Sequence, residues 1–308
     1  MKSKKIIKIS NILIIGLGKM GMAHLESFAK RKDCFFYLIE KNIYRRRILK
    51  KKIKNLSINF NLLSIIPKKK KIDFAIIATN PKERFAVTTK LIKTNSIKFL
   101  FLEKYLFNNI LEYKIIGKLI KRKKIKTYVN IWSEIFLKVT NLSKLNSNNF
   151  TIDVFLSDYT ILTNLIHFYY LFYVMVPNKK IGIDFSKFKI KKIGTYHDGK
   201  GEINFKNGKN EMKIVSNKKE ILALEAKNKF SKKKIKYKNK FLTITYKGKF
   251  FKKKFPLASI TTNKFYNQLI GISSNSHIMF PKFNEISRLS TNLLKQIQDH
   301  YAHKVQIR

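Results

Sequence analysis

The sequence predicts a two-domain α/β protein: a doubly wound parallel sheet first, then an α+β domain on an open, mostly antiparallel sheet. Three observations carry this. Between residues 11 and 130, short continuous apolar runs alternate with longer segments whose apolar residues recur at helical spacing. A glycine-rich turn joins the first run to the first such segment. From about residue 185 onward, short alternating segments separated by turn dipeptides take over.

The runs at 11–15, 35–39, 74–78 and 98–102 have strand length and little alternation, as expected of strands covered on both faces. Segments 20–30, 42–54, 82–92 and 108–121 supply the crossover helices, and 126–131 a last strand. Beyond them, 150–155 reads as a strand and 160–176 as a strongly aromatic helix ending before Pro177. Asp198-Gly199, Asn207-Gly208 and Lys247-Gly248 read as hairpin turns. Helices near 262–272 and 283–301 close the chain. The boundary falls near 125–132, giving domains 1–127 and 128–308, with no Gly/Ser tether and no internal repeat.

Composition narrows the function classes. The chain has 308 residues, 66 Lys+Arg against 18 Asp+Glu, and a formal charge of +48. Forty-four per cent hydrophobic residues exclude a disordered basic tail. A single cysteine, Cys34, excludes a disulfide framework. No apolar run approaches the roughly 20 residues of a membrane span. Only eight of the basic residues are arginines, the lysine runs are spread along the chain, and Ile, Asn, Phe and Tyr are abundant too. That pattern reads as A/T-rich codon drift rather than a nucleic-acid footprint, which leans on arginine. The basic N-terminus and the apolar stretch 12–18 resemble a secretory signal. The stretch is short, broken by Gly16, Gly18 and Lys19, and has no cleavage site, so it reads as a buried strand of a cytoplasmic protein.

Gly16-Leu17-Gly18-Lys19-Met20-Gly21 fits G-x-G-x-x-G after a buried strand and at the start of a helix. Glycines there allow a tight turn and close approach of backbone N–H groups to a pyrophosphate at the helix N-terminus. Glu40 ends the second strand, 19 residues beyond Gly21, where a carboxylate accepts from ribose hydroxyls and repels a 2′-phosphate. Lys41 and Arg45–Arg47 follow and offset that repulsion. NAD is the expected cofactor, with NADP the alternative.

These residues, with His24, the run Asp73-Phe74-Ala75-Ile76-Ile77-Ala78-Thr79-Asn80-Pro81 and the step Leu102-Glu103-Lys104, resemble the glucose–fructose oxidoreductase / inositol dehydrogenase (Gfo/Idh/MocA) family. The resemblance runs over essentially the whole chain. It implies a Rossmann domain, then an α/β domain on an open antiparallel sheet, and NAD(P)-dependent hydride transfer at a hydroxyl- or keto-bearing carbon of a sugar or nucleotide sugar. Segments 259–264 and 280–285 resemble the subgroup of surface-glycan and nonulosonate sugar biosynthesis.

The resemblance also assigns roles. Lys104 matches the lysine of the family's Glu-Lys-Pro signature, which hydrogen-bonds the reacting hydroxyl, and Glu103 would orient it beside the cofactor. Thr79, Asn80 and Pro81 would line the adenylate and ribose side. His167 matches the proton-accepting histidine, a group that titrates near neutrality. Asn130, Trp132 and Asn164 are weaker substrate-side candidates, and packing explains Trp132 equally well. The chain departs from the pattern at Tyr105, in place of proline, and at Thr163 and Tyr170, in place of acids. His24 is expected to cap or pack. His197, His277, His300 and His303 show no ligand spacing, so no metal is expected. A homo-oligomer built on the second-domain sheet is implied. The competing reading is a drifted family member that binds or scaffolds, touching nucleic acid or membrane through charge alone.

Overall fold

The computed structural model describes residues 9–142, 149–158, 160–176, 180–194, 196–216, 222–228, 231–238, 241–246, 249–254, 258–272 and 280–301. Residues 1–8, Pro177, Lys247-Gly248, His277 and His303 lie outside them, as do the side chains of Ser259 and Ile260.

The chain divides into two compact units. In the first, six parallel strands stand in the order β3-β2-β1-β4-β5-β6: β1 (Ser10–Ile15), β2 (Cys34–Ile39), β3 (Asn59–Leu63), β4 (Lys71–Ile77), β5 (Ser96–Leu102) and β6 (Lys126–Val129). The order reverses between β1 and β4, so the crevice at their C-terminal ends is the topological switch point. Ile12 pairs with Phe36 on one side and Phe74 on the other, and all three are fully buried. This burial on both faces is why the run does not alternate. Helices α1 (Lys19–Glu26), α2 (Ile43–Lys54), α3 (Pro81–Thr94) and α4 (Ile110–Arg122) make the crossovers. Asparagine starts three of them. Asn42 Oδ1 accepts from the Arg45 N–H at 3.0 Å, Asn80 Oδ1 from Glu83 at 3.1 Å, and Asn109 Oδ1 from Leu111 at 2.8 Å. Each such cap contributes about 1 kcal/mol.

The second unit holds α5 (Ser133–Thr140), β7 (Phe150–Leu156), α6 (Ile161–Met175), β8 (Gly182–Asp184), β9 (Phe188–Ile193), β10 (Tyr196–Asn207), β11 (Asn210–Ser216), β12 (Leu222–Asn228), β13 (Ser231–Lys238), β14 (Phe241–Tyr246) and β15 (Lys249–Lys254). The sheet runs β15-β14-β13-β12-β7-β11-β10-β8, with β9 on β10. Among the described residues β7 and β11 pair parallel and the other neighbours antiparallel. Helix α6 is buried nearly all round, which explains its aromatic composition.

Three expectations change. Strand β3 and helix α5 stand where the sequence pattern marks no element. Asp198-Gly199 is not a turn but lies inside β10, opposite Lys191 and Ile190. A Cβ on Gly199 would stand 2.3 Å from the Lys189 carbonyl oxygen, so the glycine serves close strand approach. The Asn207-Gly208 turn does join β10 to β11, with Gly208 at φ +58. Finally, the split at 127/128 is contiguous, whereas residues 257–284 return to the first unit. There α7 (Ala258–Leu269) packs on α1, Tyr266 stacks on Phe74, and Arg31 donates to Asn263 and Asn267. The Pro281 carbonyl accepts from Val129 N–H and extends the β6 edge. The last helix, α8 (Phe283–Tyr301), enters the second unit at Glu285.

Candidate cofactor and catalytic residues

Strand β1 delivers its chain to a turn that only glycine can make. Gly16 has φ +87, and a Cβ on it would stand 2.9 Å from the Ala78 carbonyl carbon and the Thr79 nitrogen. A Cβ on Gly21 would collide with the Gly16 carbonyl oxygen at 1.8 Å. Gly18 is different: nothing lies within 4 Å of its Cβ position. It is the N-cap of α1 and supplies no side-chain cap. The N–H groups of Lys19, Met20 and Gly21 in the first helical turn therefore have no intrahelical acceptor. An open face beside uncapped N–H groups fits a pyrophosphate, and a side chain at Gly18 would fill that space.

A cleft of about 400 Å³ continues from this turn, lined by Gly16, Ile39, Glu40, Asn42, Ile65 and Thr79 among others. Glu40 is nearly buried there, accepts from the Asn42 N–H at 3.1 Å, and stands 3.6 Å from Arg45 Nε. Arg45 also donates to the Leu17 carbonyl at 3.0 Å, tying the carboxylate to the glycine turn. Arg46 donates to the Glu40 and Lys41 carbonyls at 2.8 Å. Thr79 Oγ1 is buried with no hydrogen-bond partner among the described residues. A buried hydroxyl left in this way on a cleft wall suits a ligand with hydrogen-bonding groups. Asn80 and Pro81 do other work: Asn80 caps α3, and Pro81, buried, forms its first turn.

The exit of β5 is held from behind. Glu103 is 7% exposed, and its Oε1 accepts from His24 Nε2 at 2.7 Å and Asn130 Nδ2 at 2.6 Å. His24, fully buried, places Nδ1 2.7 Å from the Thr262 hydroxyl. Burial pushes the Glu103 carboxyl up, but His24, Asn130 and the charge of Arg84 outweigh it and hold it below the usual carboxylate range. Glu103, His24, Asn130 and Thr262 thereby form an internal anchor linking α1, β5, the end of β6 and α7. His24 packs, as expected, and also supplies a hydrogen bond no sequence pattern signalled. Lys104 is half-buried, with Nζ 5.5 Å from the centroid of the Tyr105 ring. Tyr105, in place of the family's proline, has φ +50, which proline cannot adopt.

Arg84 escaped the sequence reading. It is 3% exposed, and its Nη1 lies 2.8, 2.8 and 2.5 Å from the carbonyls of Glu103, Lys104 and Tyr105, while Nη2 donates to the carbonyl of Thr79. Burial lowers its pKa to about 10 despite the attraction of Glu103, leaving it charged at neutral pH. The available signal was an arginine on the face of α3 shared with Pro81, Val87, Thr88 and Leu91.

In the second unit, His167 is 3% exposed and stacks on Trp132 at 4.6 Å and 28°. Trp132 also packs on Phe136 and Phe168, so it is part of an aromatic cluster. The start of α6 is held by Asp198, fully buried on β10. Its oxygens accept from the Leu162 N–H at 2.9 Å, the Thr163 N–H at 3.2 Å, the Thr163 hydroxyl at 2.7 Å and the Gly199 N–H at 2.8 Å. Asn164 donates to the Thr160 carbonyl. The Tyr170 hydroxyl donates to Glu134 at 2.7 Å and lies 3.2 Å from Glu285. Burial and both glutamates push its pKa well above the ordinary tyrosine value. Both missing acids are therefore answered from elsewhere: Asp198 meets Thr163, and two glutamates meet Tyr170.

Residues 10–131 match the family model described as an oxidoreductase family with an NAD-binding Rossmann fold. Over these residues the chain is similar to the Gfo/Idh/MocA oxidoreductases. No curated protein matches the chain. Solved structures similar to it include UDP-N-acetylglucosamine 3-dehydrogenase GnnA of Acidithiobacillus ferrooxidans, at 10% identity, 92% of this chain and 95% of that one, TM-score 0.67. A dehydrogenase of Clostridium difficile, MviM, is similar at 14% identity, 94% and 99% coverage, TM-score 0.70. A super-repressor mutant of Gal80p of Saccharomyces cerevisiae is similar at 13% identity, 94% and 95% coverage, TM-score 0.67. At such identities these likenesses speak for the fold. Among the described residues no helix is long and apolar enough to cross a membrane, and no group of His, Cys, Asp or Glu is arranged to hold a metal.

Proposed function

We propose that the chain is an NAD-dependent oxidoreductase acting at a hydroxyl- or keto-bearing carbon of a sugar or nucleotide sugar. The observation that carries this is the contrast within the glycine turn. Gly16 and Gly21 are demanded by packing, whereas Gly18 faces open space beside an uncapped helix start. A fold alone does not need the second glycine, Gly18, but a bound pyrophosphate does. NAD, when bound, accepts or returns the hydride. Glu40 takes the ribose hydroxyls and disfavours a 2′-phosphate, and Thr79 Oγ1 offers a further polar contact. Lys104 is assigned the hydrogen bond to the reacting oxygen, and His167 the proton. Asp198, through Thr163, holds the first turn of the helix that carries His167. The nucleotide-sugar class draws on the similarity to GnnA, a UDP-N-acetylglucosamine 3-dehydrogenase, and on the lysine-rich surface, which steers anions. We infer in addition that copies associate through the second-unit sheet.

The test is nicotinamide absorbance during incubation with NAD and a panel of sugars and nucleotide sugars that includes UDP-N-acetylglucosamine, with Lys104→Met as control. Turnover by the wild type and none by the variant supports the reading. Absence of any NADH binding removes it. A second reading, a dinucleotide-binding protein without turnover, is favoured by Tyr105, Thr163 and Tyr170, and predicts NADH binding with no substrate in the panel consumed.

A further inference from the structure

A buried guanidinium calls for an explanation that packing does not give. Burying an ion is expensive unless its hydrogen bonds are met, and a leucine on the same face of α3 would seal the core without that cost. Among the described residues Arg84 has no carboxylate within ion-pair distance, and its Nε–H has no hydrogen-bond partner. Its partners are four main-chain carbonyls, one at the end of β4 and three consecutive ones after β5. Three successive carbonyls converge on one nitrogen only if the chain curls around it, and the left-handed Tyr105 is where it curls. For a tyrosine that conformation costs about 1–3 kcal/mol and persists only where neighbours hold it. Lys104 is the middle residue of the curl, and Thr79 is part of the cleft wall.

We propose that Arg84 is a positioning residue for Lys104: it clamps the ends of β4 and β5 to one planar group, so that the lysine leaves the turn in a single direction relative to the cofactor wall. This rests on the assignment of Lys104 made above. The planar fork matters, not the charge alone, because a lysine at this position is shorter and cannot span both strand ends. The anchor of His24 and Asn130 on the Glu103 side chain fixes β5 itself, while Arg84 fixes the main chain after it.

The experiment compares Arg84→Lys, Arg84→Met and Lys104→Met in the full chain, with NADH titration, thermal unfolding, and turnover of whichever panel substrate the wild type consumes. The expected result is cooperative unfolding, an NADH Kd within about threefold of wild type, and a kcat lower by about 100-fold. KM should change far less. Arg84→Lys is expected to resemble Arg84→Met, and acylation of Lys104, read by mass spectrometry against Lys82 and Lys98, to change rate in both. Wild-type kcat and Lys104 acylation in Arg84→Met, with Lys104→Met inactive, would overturn the proposal and leave the assignment of Lys104 standing. Recovery by Arg84→Lys would overturn the fork in favour of charge. Failure of both Arg84 variants to fold would make the residue a core element only. Turnover that survives Lys104→Met, or is absent from the wild type, removes the assignment and the proposal together.

Discussion

Gly18 and Gly21 stand three residues apart in opposite surroundings, and that contrast separates folding from binding. Gly18 has φ −69, a value any residue adopts, and empty space at its Cβ. Gly18→Val is expected to change stability by no more than about 0.5 kcal/mol while reducing NADH affinity at least tenfold, read by thermal unfolding and fluorescence titration. Gly21→Ala meets backbone at 1.8 Å and should fail to fold stably. Tyr105→Pro tests the turn after Lys104. It restores the family's signature, yet proline's fixed φ near −65° cannot follow the observed +50, so the variant should lose about 1–3 kcal/mol. Glu103 sets a pH dependence. Its carboxyl is held below its ordinary pKa, so its contribution is complete above that ordinary value and is lost as pH falls through the folded one. Glu103→Gln should therefore be less stable at neutral pH and lose less stability on acidification, measured as the slope of Tm against pH.

Helix α6 carries the clearest departure from the family pattern. Thr163→Asp restores the family's acid but sets a second carboxylate against Asp198 Oδ2, which now lies 2.7 Å from the Thr163 hydroxyl. The variant should be destabilised, and Thr163→Asp with Asp198→Ser should recover most of the loss, a non-additivity that a double-mutant cycle reads directly. The buried strands β1, β4 and β5, the asparagine-capped helices and the glycine turn were legible because each depends on local pattern. Strand β3 was not: it is a half-exposed edge reading Asn-Phe-Asn-Leu-Leu with no continuous run. Asp198 looked like half of a turn because Asp-Gly is a turn dipeptide, and its partners lie 35 and 36 residues away. Lys233 was hidden for the same reason. Among so many solvated lysines it is the one whose Nζ donates to the Thr140 and Asn141 carbonyls at the end of α5. Long-range polar contacts leave no periodicity behind, and His24, Arg84 and Asp198 all make them.

At the scale of the molecule the +48 charge and the scarcity of acids are one feature seen from two sides. Exposed lysines cover both units, at 50–52 and 68–71 in the first and at 189, 191, 232, 234, 236, 252 and 253 in the second. They sit on many separate elements of each unit, so RNA binding should be weak and should vanish as salt rises. Several of the acids, by contrast, are placed for structure or site: Glu40 in the cleft, Glu103 on His24, Asp33 on Arg31, Asp198 at the head of α6. The central claim is that the glycine turn and its cleft bind a nicotinamide dinucleotide. Fluorescence titration of NADH into the wild type and Gly18→Val, both shown folded by thermal unfolding, tests it most directly. Saturable one-to-one binding by the wild type, at least tenfold weakened in the variant, is the predicted result. No saturable binding by the wild type, or equal binding by the two, would contradict it.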